Sequence, residues 1–279
     1  MTSRSRTIGV LSSQSAHYGP ATSIAAIESA ARAAGYRLSI TSTASNAYAS
    51  IKAGIDYLMS QAVEALVVVA PQAHVFEAIQ DLSVSVPIVT LESTGRDVRG
   101  SLSVDQVAGA RLATQHLVEL GHREIVHITG PQDWIEALAR TRGYREALSA
   151  AGLQVRAPVV GDWSAESGYR AGLELLGARD VTAVFAGNDQ MALGLLHAAR
   201  ELGVDVPNEL SVIGFDDIPE AAHFAPPLTT IRQNFVEIGR RAVAIILAEL
   251  RGDMEVDHQM VPPELILRES TSAVRSTHT

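Results

Sequence analysis

Residues Thr182–Asp217 read TAVFAGNDQMALGLLHAARELGVDVPNELSVIGFDD, one complete strand, helix, strand unit with a polar cluster at the end of each strand. Ala183 to Ala186 form a short apolar run closed by Gly187, as expected of a strand covered on both faces in a parallel sheet. Asn188 and Asp189 follow where a helix N-cap belongs, and Met191, Leu193, Leu195 and Leu196 populate a helix that stops at Gly203. Val212 to Phe215 make the next strand, which empties into Asp216 and Asp217. In open parallel sheets ligands lie outside the carboxyl ends of the strands, so Asn188 and Asp216 are predicted to face one crevice.

The same grammar extends outward in both directions. Upstream, strands are predicted at Thr7–Leu11, Leu38–Thr41, Ala65–Ala70 and Pro87–Leu91, with helices at Ala21–Ala34, Asn46–Ser60, Val75–Leu82 and Asp105–Leu120 between and after them. The pattern then restarts with strands at Glu124–Thr129 and Val155–Val160 and helices at Trp134–Ala151 and Ala165–Leu176. After Asp217 come a short strand, Leu228–Arg232, an amphipathic helix, Val236–Leu250, and a last strand, Met260–Arg268, marked as an edge by Pro262 and Pro263. Repeated β-α units in tandem predict an α/β chain of two doubly wound, Rossmann-like parallel-sheet subdomains. The helix and strand left over imply that the chain crosses back and adds an element to each half, the wiring of a hinge. The expected division is 7–121 plus 235–258 for the first subdomain and 122–232 plus 259–272 for the second. Residues 273–279 read as a disordered tail.

With 279 residues and 47% of them apolar, the chain can supply two cores. It has no cysteine, so disulfides and thiol chemistry are excluded. No signal-peptide core and no membrane-length run is found, which makes a cytoplasmic location the expectation. The net charge of −9 is the wrong sign for a surface that must itself hold a polyanion.

Neither the dinucleotide G-x-G-x-x-G nor the phosphate-loop G-x-x-x-x-G-K is found, so no cofactor is expected. H-E-x-x-H and G-x-S-x-G are absent as well, and no catalytic constellation takes their place, so the chain is not expected to be an enzyme. His116, His122 and His127 fall in a helix, a turn and a strand, and read as surface or capping residues rather than converging metal ligands. Asp216 and Asp217 could be a Mg²⁺ site or a general base, but neighbours on a strand end point to opposite sides, leaving one in the crevice. What remains suits binding. Sugars are gripped by planar polar groups that take adjacent hydroxyls two at a time, with an aromatic face against the ring's C–H side. Of the crevice residues Arg140, Trp163, Asn188, Asp216 and Gln233, Arg140, Asn188 and Asp216 can supply the first and Trp163 the second. The plainer alternatives are caps and turns for Asn188 and Asp216, a core plug for Trp163 and a solvated helix residue for Arg140.

The segments HLVELGHREIVHITGP (His116–Pro131), RTRGYREAL (Arg140–Leu148), GDWSAESGY (Gly161–Tyr169), AGNDQMALGLL (Ala186–Leu196), VIGFDD (Val212–Asp217) and PLTTIRQ (Pro227–Gln233) occur in order. Together they make the chain resemble, from Thr7 to about Ser270, the effector-binding core of the lactose-repressor-like (LacI/GalR) transcription regulators. The resemblance implies a type I periplasmic-binding-protein-like fold with a small effector between the subdomains. It implies that Arg140, Asn188 and Asp216 bind effector polar groups and that Trp163 and Gln233 line the pocket. Ser13, His17 and Tyr18 fall in the loop expected to face the ligand from the first subdomain, and Trp134 and Glu136 in a segment that varies with the effector. Trp163 together with Asp216 favours a carbohydrate over a purine.

Members of that family carry a helix-turn-helix and a hinge ahead of the strand that begins at Thr7, which six residues cannot contain. Residues 1–6 resemble the end of the hinge. The expectation is therefore the ligand-sensing core of a repressor, a homodimer that reaches operator DNA only through an N-terminal domain outside this chain. The alternative is a stand-alone or transport-associated sugar-binding protein on the same fold.

Overall fold

The computed structural model describes residues 5–13, 17–43, 47–70, 72, 75, 79, 84–91, 100–178, 180–253 and 259–274. The polar loop Ser93–Gly100, apart from Gly100, and most of the helix expected at Val75–Leu82 lie outside the described residues. Two compact units emerge, Met1–Asp105 with Asn234–Val261, and Gln106–Gln233 with Pro262–Thr279. The backbone passes between them at 105/106, 233/234 and 261/262.

In the first unit, β1 (Thr7–Ser13), α1 (Tyr18–Ala33), β2 (Arg37–Thr43), α2 (Tyr48–Ser60), β3 (Ala65–Val69), β4 (Ile88–Leu91) and β5 (Ser101–Leu102) build a sheet of order β2-β1-β3-β4-β5. Every pairing in it is parallel. β3 is buried at all five positions, as its unbroken ALVVV run requires when helices cover both faces.

The second unit runs α3 (Gln106–Glu119), β6 (Ile125–Thr129), α4 (Ile135–Ala150), β7 (Val159–Val160), α5 (Ala165–Gly177), β8 (Ala183–Ala186), α6 (Asp189–Glu201), β9 (Ser211–Asp216), a 3-10 turn at Pro219–His223, and β10 (Thr229–Arg232). The chain then returns through α7 (Phe235–Arg251) to the first unit and ends with β11 (Glu264–Ile266) in the second. The second sheet has order β11-β10-β9-β8-β6-β7, parallel except for the antiparallel β10–β11 edge. α7 packs on α1 and sinks Ile238, Val243 and Ile246 into the core with Ile8, Val10 and Val67.

Four boundaries differ from expectation. The helix placed in the first subdomain, within 7–121, belongs to the second unit: α3 packs on α4 and buries Ala110, Ala113 and Leu117 against Tyr144, Phe185 and Phe215. Residues 259–261, placed in the second subdomain, belong to the first, because Val261 pairs with Val104 and takes an amide bond to Ser103 O at 2.8 Å. Pro262 and Pro263 lack the N–H needed to continue that ladder, so β11 restarts at Glu264. The strand expected at Val155–Val160 shrinks to two residues, and the start of the expected tail is held, with Val274 N donating to Leu120 O at 3.0 Å. Residues 275–279 lie outside the described residues. At the other end, Ser5 and Arg6 of the supposed hinge remnant are tied to the first unit, Ser5 Oγ to Ala62 O at 2.6 Å and Arg6 N to Glu64 Oε1 at 2.9 Å.

Candidate functional site

Four neighbouring parallel strands of the second unit end side by side, and each end carries polar or small residues. β6 leads into Gly130, β8 into Gly187 and Asn188, β9 ends in Asp216, and β10 leads into Gln233. Into these ends α4 sends Arg140, 5% exposed despite its charge. Its Nε donates to Gln106 Oε1 at 2.8 Å, one Nη donates to Gly187 O, and the other lies 3.6 Å from Asp216 Oδ1. Gln106 Nε2 in turn donates to Gln233 Oε1 at 2.6 Å, and Gln233 Nε2 to Asp216 Oδ1 at 2.6 Å. Arg140, Gln106, Gln233 and Asp216 thus close a circuit. The guanidinium lies over the Phe215 ring, 3.9 Å from its centroid, with Trp163 at 5.3 Å, a placement that suits a weakly hydrated planar cation.

Burying this pair is costly, and the circuit is what makes it tolerable. Burial lowers the Arg140 pKa, opposed by the carboxylates of Asp216, Glu136 and Asp189. Burial pushes the Asp216 carboxyl up to about 6, while Arg140 and the Gln233 amide hold it down. Asp189, behind them, is raised well above the ordinary carboxylate range, first by burial and then by Asp216. The result is a planar cation, two amides and a carboxyl presented together, able to accept from and donate to adjacent hydroxyls.

The aromatic side is built by Trp163 and Trp134, whose rings are 5.6 Å apart at 60°. Trp163 is buried and holds a left-handed φ of 70°. Its indole lies flat on Gly130, where a Cβ would sit 2.0 Å from Cζ2, so only glycine leaves room for it. The indole N–H is buried and finds no hydrogen-bond partner among the described residues. Trp134 stands at the N-cap of α4 and Glu136 in its first turn, one helical turn before Arg140.

Asn188 is differently employed. Its Oδ1 caps α6 by accepting from Met191 N at 2.9 Å, and its Nδ2 donates to Trp163 O at 3.0 Å and to Gln190 Oε1 at 2.9 Å. It therefore anchors the Trp163 backbone as well as lying beside the circuit. In the first unit, Ser13 ends β1, His17 occupies the N-cap of α1, and Tyr18 meets Phe235 edge-on at 5.9 Å. Ser13 Oγ is buried without a partner among the described residues, as is Oε1 of Gln72, which follows β3, the neighbour of β1.

Gln106, Phe215 and Gln72 were not among the residues expected from sequence. Gln106 opens a helix and Phe215 reads as core; neither carries a local signal of its role. The histidine expectation also needs correction. His122 is buried, bonded to Thr182 Oγ1 at 3.0 Å and Ser211 Oγ at 2.9 Å, and His116 is half-buried against Thr271 Oγ1 at 2.9 Å. His127 is wholly buried, stacked on Phe185 at 4.4 Å, because its strand has both faces covered. His122 and His127 are therefore not surface residues, while His116 stays partly exposed in the last turn of its helix, and the partners of all three are hydroxyls and carbonyls.

Residues 114–271 match the family model of the periplasmic binding protein-like domain. The lactose operon repressor of Escherichia coli (strain K12) is 32% identical over 268 residues, covering 95% of this chain and 74% of the repressor. The HTH-type transcriptional regulator CelR of Thermobifida fusca is 40% identical over 173 residues, 61% of this chain and 51% of the regulator. Among solved structures, the lac repressor dimer bound to operator and the anti-inducer ONPF superposes with a TM-score of 0.91 at 31% identity, covering 98% of this chain and 96% of that one. A CelR–cellobiose complex superposes with a TM-score of 0.84 at 30% identity, covering 96% of this chain and 85% of that one. Among the described residues no helix is long and apolar enough to cross a membrane.

Proposed function

This chain belongs to the LacI family of transcriptional regulators, and we propose that it is the effector-sensing core of a repressor that binds a carbohydrate at the Arg140–Asp216 circuit. The observation that carries the reading is the circuit itself, a buried cation, carboxyl and two amides flanked by two tryptophans. Planar donors and acceptors beside aromatic faces suit a polyol ring better than a flat purine, which would need two parallel faces. Arg140, Trp163, Asp216 and Gln233 are the contacts proposed in the second unit, with Trp134 and Glu136 at its rim and Asn188 holding Trp163. Ser13, His17 and Tyr18 are those proposed from the first. Cellobiose, the ligand of the CelR complex, supports a disaccharide as the first candidate.

The site works by binding, with no catalytic step assigned to it. The protein acts as a cytoplasmic homodimer, as the dimeric lac repressor bound to operator suggests, and effector binding changes its affinity for DNA by a coupling of a few kcal/mol.

Thermal shift against cellobiose, lactose and guanine, with Arg140→Ala and Asp216→Ala alongside, tests the reading. A ligand at a hundredfold excess over Kd stabilises the native state by about 2.7 kcal/mol. A disaccharide shift lost in both variants is the expected result. A shift with guanine alone would remove the carbohydrate assignment, and a disaccharide shift that persists in both variants would move the site elsewhere.

A further inference from the structure

Asp216 sits on backbone that its own side chain disfavours. Asp216 and Asp217 both hold positive φ, 114° and 56°, two consecutive residues other than glycine in a region where Cβ crowds the chain. Such backbone persists only where its surroundings over-determine it.

Two devices do so. The Asp217 carboxylate turns away from Arg140 and is gripped by two arginines from separate segments, Arg232 Nε at 2.7 Å from the end of β10 and Arg268 Nη2 at 2.6 Å from beyond β11. Arg268 is itself fixed, donating Nη1 to Leu228 O at 2.7 Å and its amide to Thr229 Oγ1 at 3.0 Å. On the other side of the turn the buried Asp189 carboxylate accepts the Ile218 amide at 2.9 Å and the Thr230 hydroxyl at 2.6 Å. It fits there because residue 214 is glycine: a Cβ at that position would meet Asp189 Oδ1 at 2.2 Å.

We propose that Asp217, clamped between Arg232 and Arg268, is a positioning residue that holds the strained backbone at 216 so that the Asp216 carboxyl meets Gln233 and Arg140. Asp217 touches no effector in this scheme and acts only through Asp216. The proposal rests on the reading of Asp216 as an effector contact only for its consequence in binding; the clamp itself is a matter of geometry.

The test is a carbon-13 titration of the Asp216 carboxyl in the folded wild type, in Asp217→Asn and in Arg232→Gln, with cellobiose and lactose affinities measured on the same samples. Arg232 is half-exposed, so its variant keeps the fold if Asp217→Asn does not. In the wild type the Asp216 midpoint is expected at about 6. Releasing the clamp lets the carboxyl turn to water, and the midpoint falls by at least one pH unit, a tenfold change in proton affinity. Disaccharide affinity falls at least tenfold with it. A folded variant whose Asp216 midpoint stays at the wild-type value overturns the clamp, whatever happens to stability. A lowered midpoint in variants of a wild type that binds neither disaccharide upholds the clamp and removes the disaccharide candidate of the proposed function.

Discussion

Gln106 Nε2 donates to Gln233 Oε1 at 2.6 Å, joining side chains 127 positions apart in the sequence. Each stands at a crossing of the backbone between the units, Gln106 where it enters the second unit just after 105/106 and Gln233 where it leaves just before 233/234. Both are bonded to the buried pair, Gln106 to Arg140 and Gln233 to Asp216. Gln106→Leu removes both bonds made by this amide and leaves Arg140 Nε and Gln233 Oε1 buried without partners. The expected loss is about 2–5 kcal/mol by urea denaturation, the sum of two stranded polar groups. A loss below about 0.5 kcal/mol would show that the circuit is open in solution.

The chain has two tryptophans, and both are at the site. Intrinsic fluorescence is thus a site-specific probe. Bound disaccharide should shift the emission of the wild type, and Trp163→Phe should lose most of that change. Gly130→Ala places a methyl where the indole lies, so it should weaken disaccharide binding about tenfold or more while leaving the helical circular dichroism signal intact. An unchanged affinity would mean that the indole face is not the sugar platform.

Burial lowers the His127 pKa from 6.5 in the unfolded chain to about 3. Between those values the unfolded chain holds a proton that the folded one refuses. The stability is present above pH 6.5 and is lost as the pH falls, at up to about 1.4 kcal/mol per unit. His127→Phe, which keeps the stack on Phe185, should therefore lose less stability between pH 7 and pH 5 than the wild type, by about 2 kcal/mol. Equal losses would place the imidazole in water.

Asp216 works in the opposite direction. Its folded value of about 6 lies above the unfolded 3.8, so the folded chain keeps a proton that the unfolded one releases in that window. Stability falls as the pH rises from about 4 through 6. Relative to the wild type, Asp216→Asn should gain stability by roughly 2–3 kcal/mol on going from pH 4 to pH 7, measured by urea unfolding at both. In the wild type this slope and that of His127 oppose each other, and each variant unmasks one of them.

Element order, the covered strands and the caps are local properties, and periodicity carried them: β3, β6, β8 and β9 are mainly apolar and buried at every position because helices cover both faces. The expectation that only one of Asp216 and Asp217 faces the crevice was argued from strand alternation; their partners do differ, Gln233 and Arg140 for the first, Arg232 and Arg268 for the second, but the left-handed turn at both residues separates them and not the pleat. The side to which the helix at Gln106–Glu119 belongs was not legible. Chain order places it with the strands before it, while its apolar face matches a core made by residues that follow it, from Ile125 to Ile231. Gln106 escaped notice for the same reason, since its partners are Arg140 and Gln233 and nothing near it in the chain announces them.

The sequence alone determined the alternation of strands and helices, the two-unit plan with a returning helix and strand, and the polar residues at the strand ends, because each depends on neighbours within a few positions. Only the tertiary structure decided which of those polar residues meet, how the strained turn at Asp216 and Asp217 is held, and that the Asn188 amide also holds the Trp163 carbonyl. Those outcomes depend on contacts between segments far apart in the chain, and a buried charge or amide takes whichever partner the packing brings within about 3 Å.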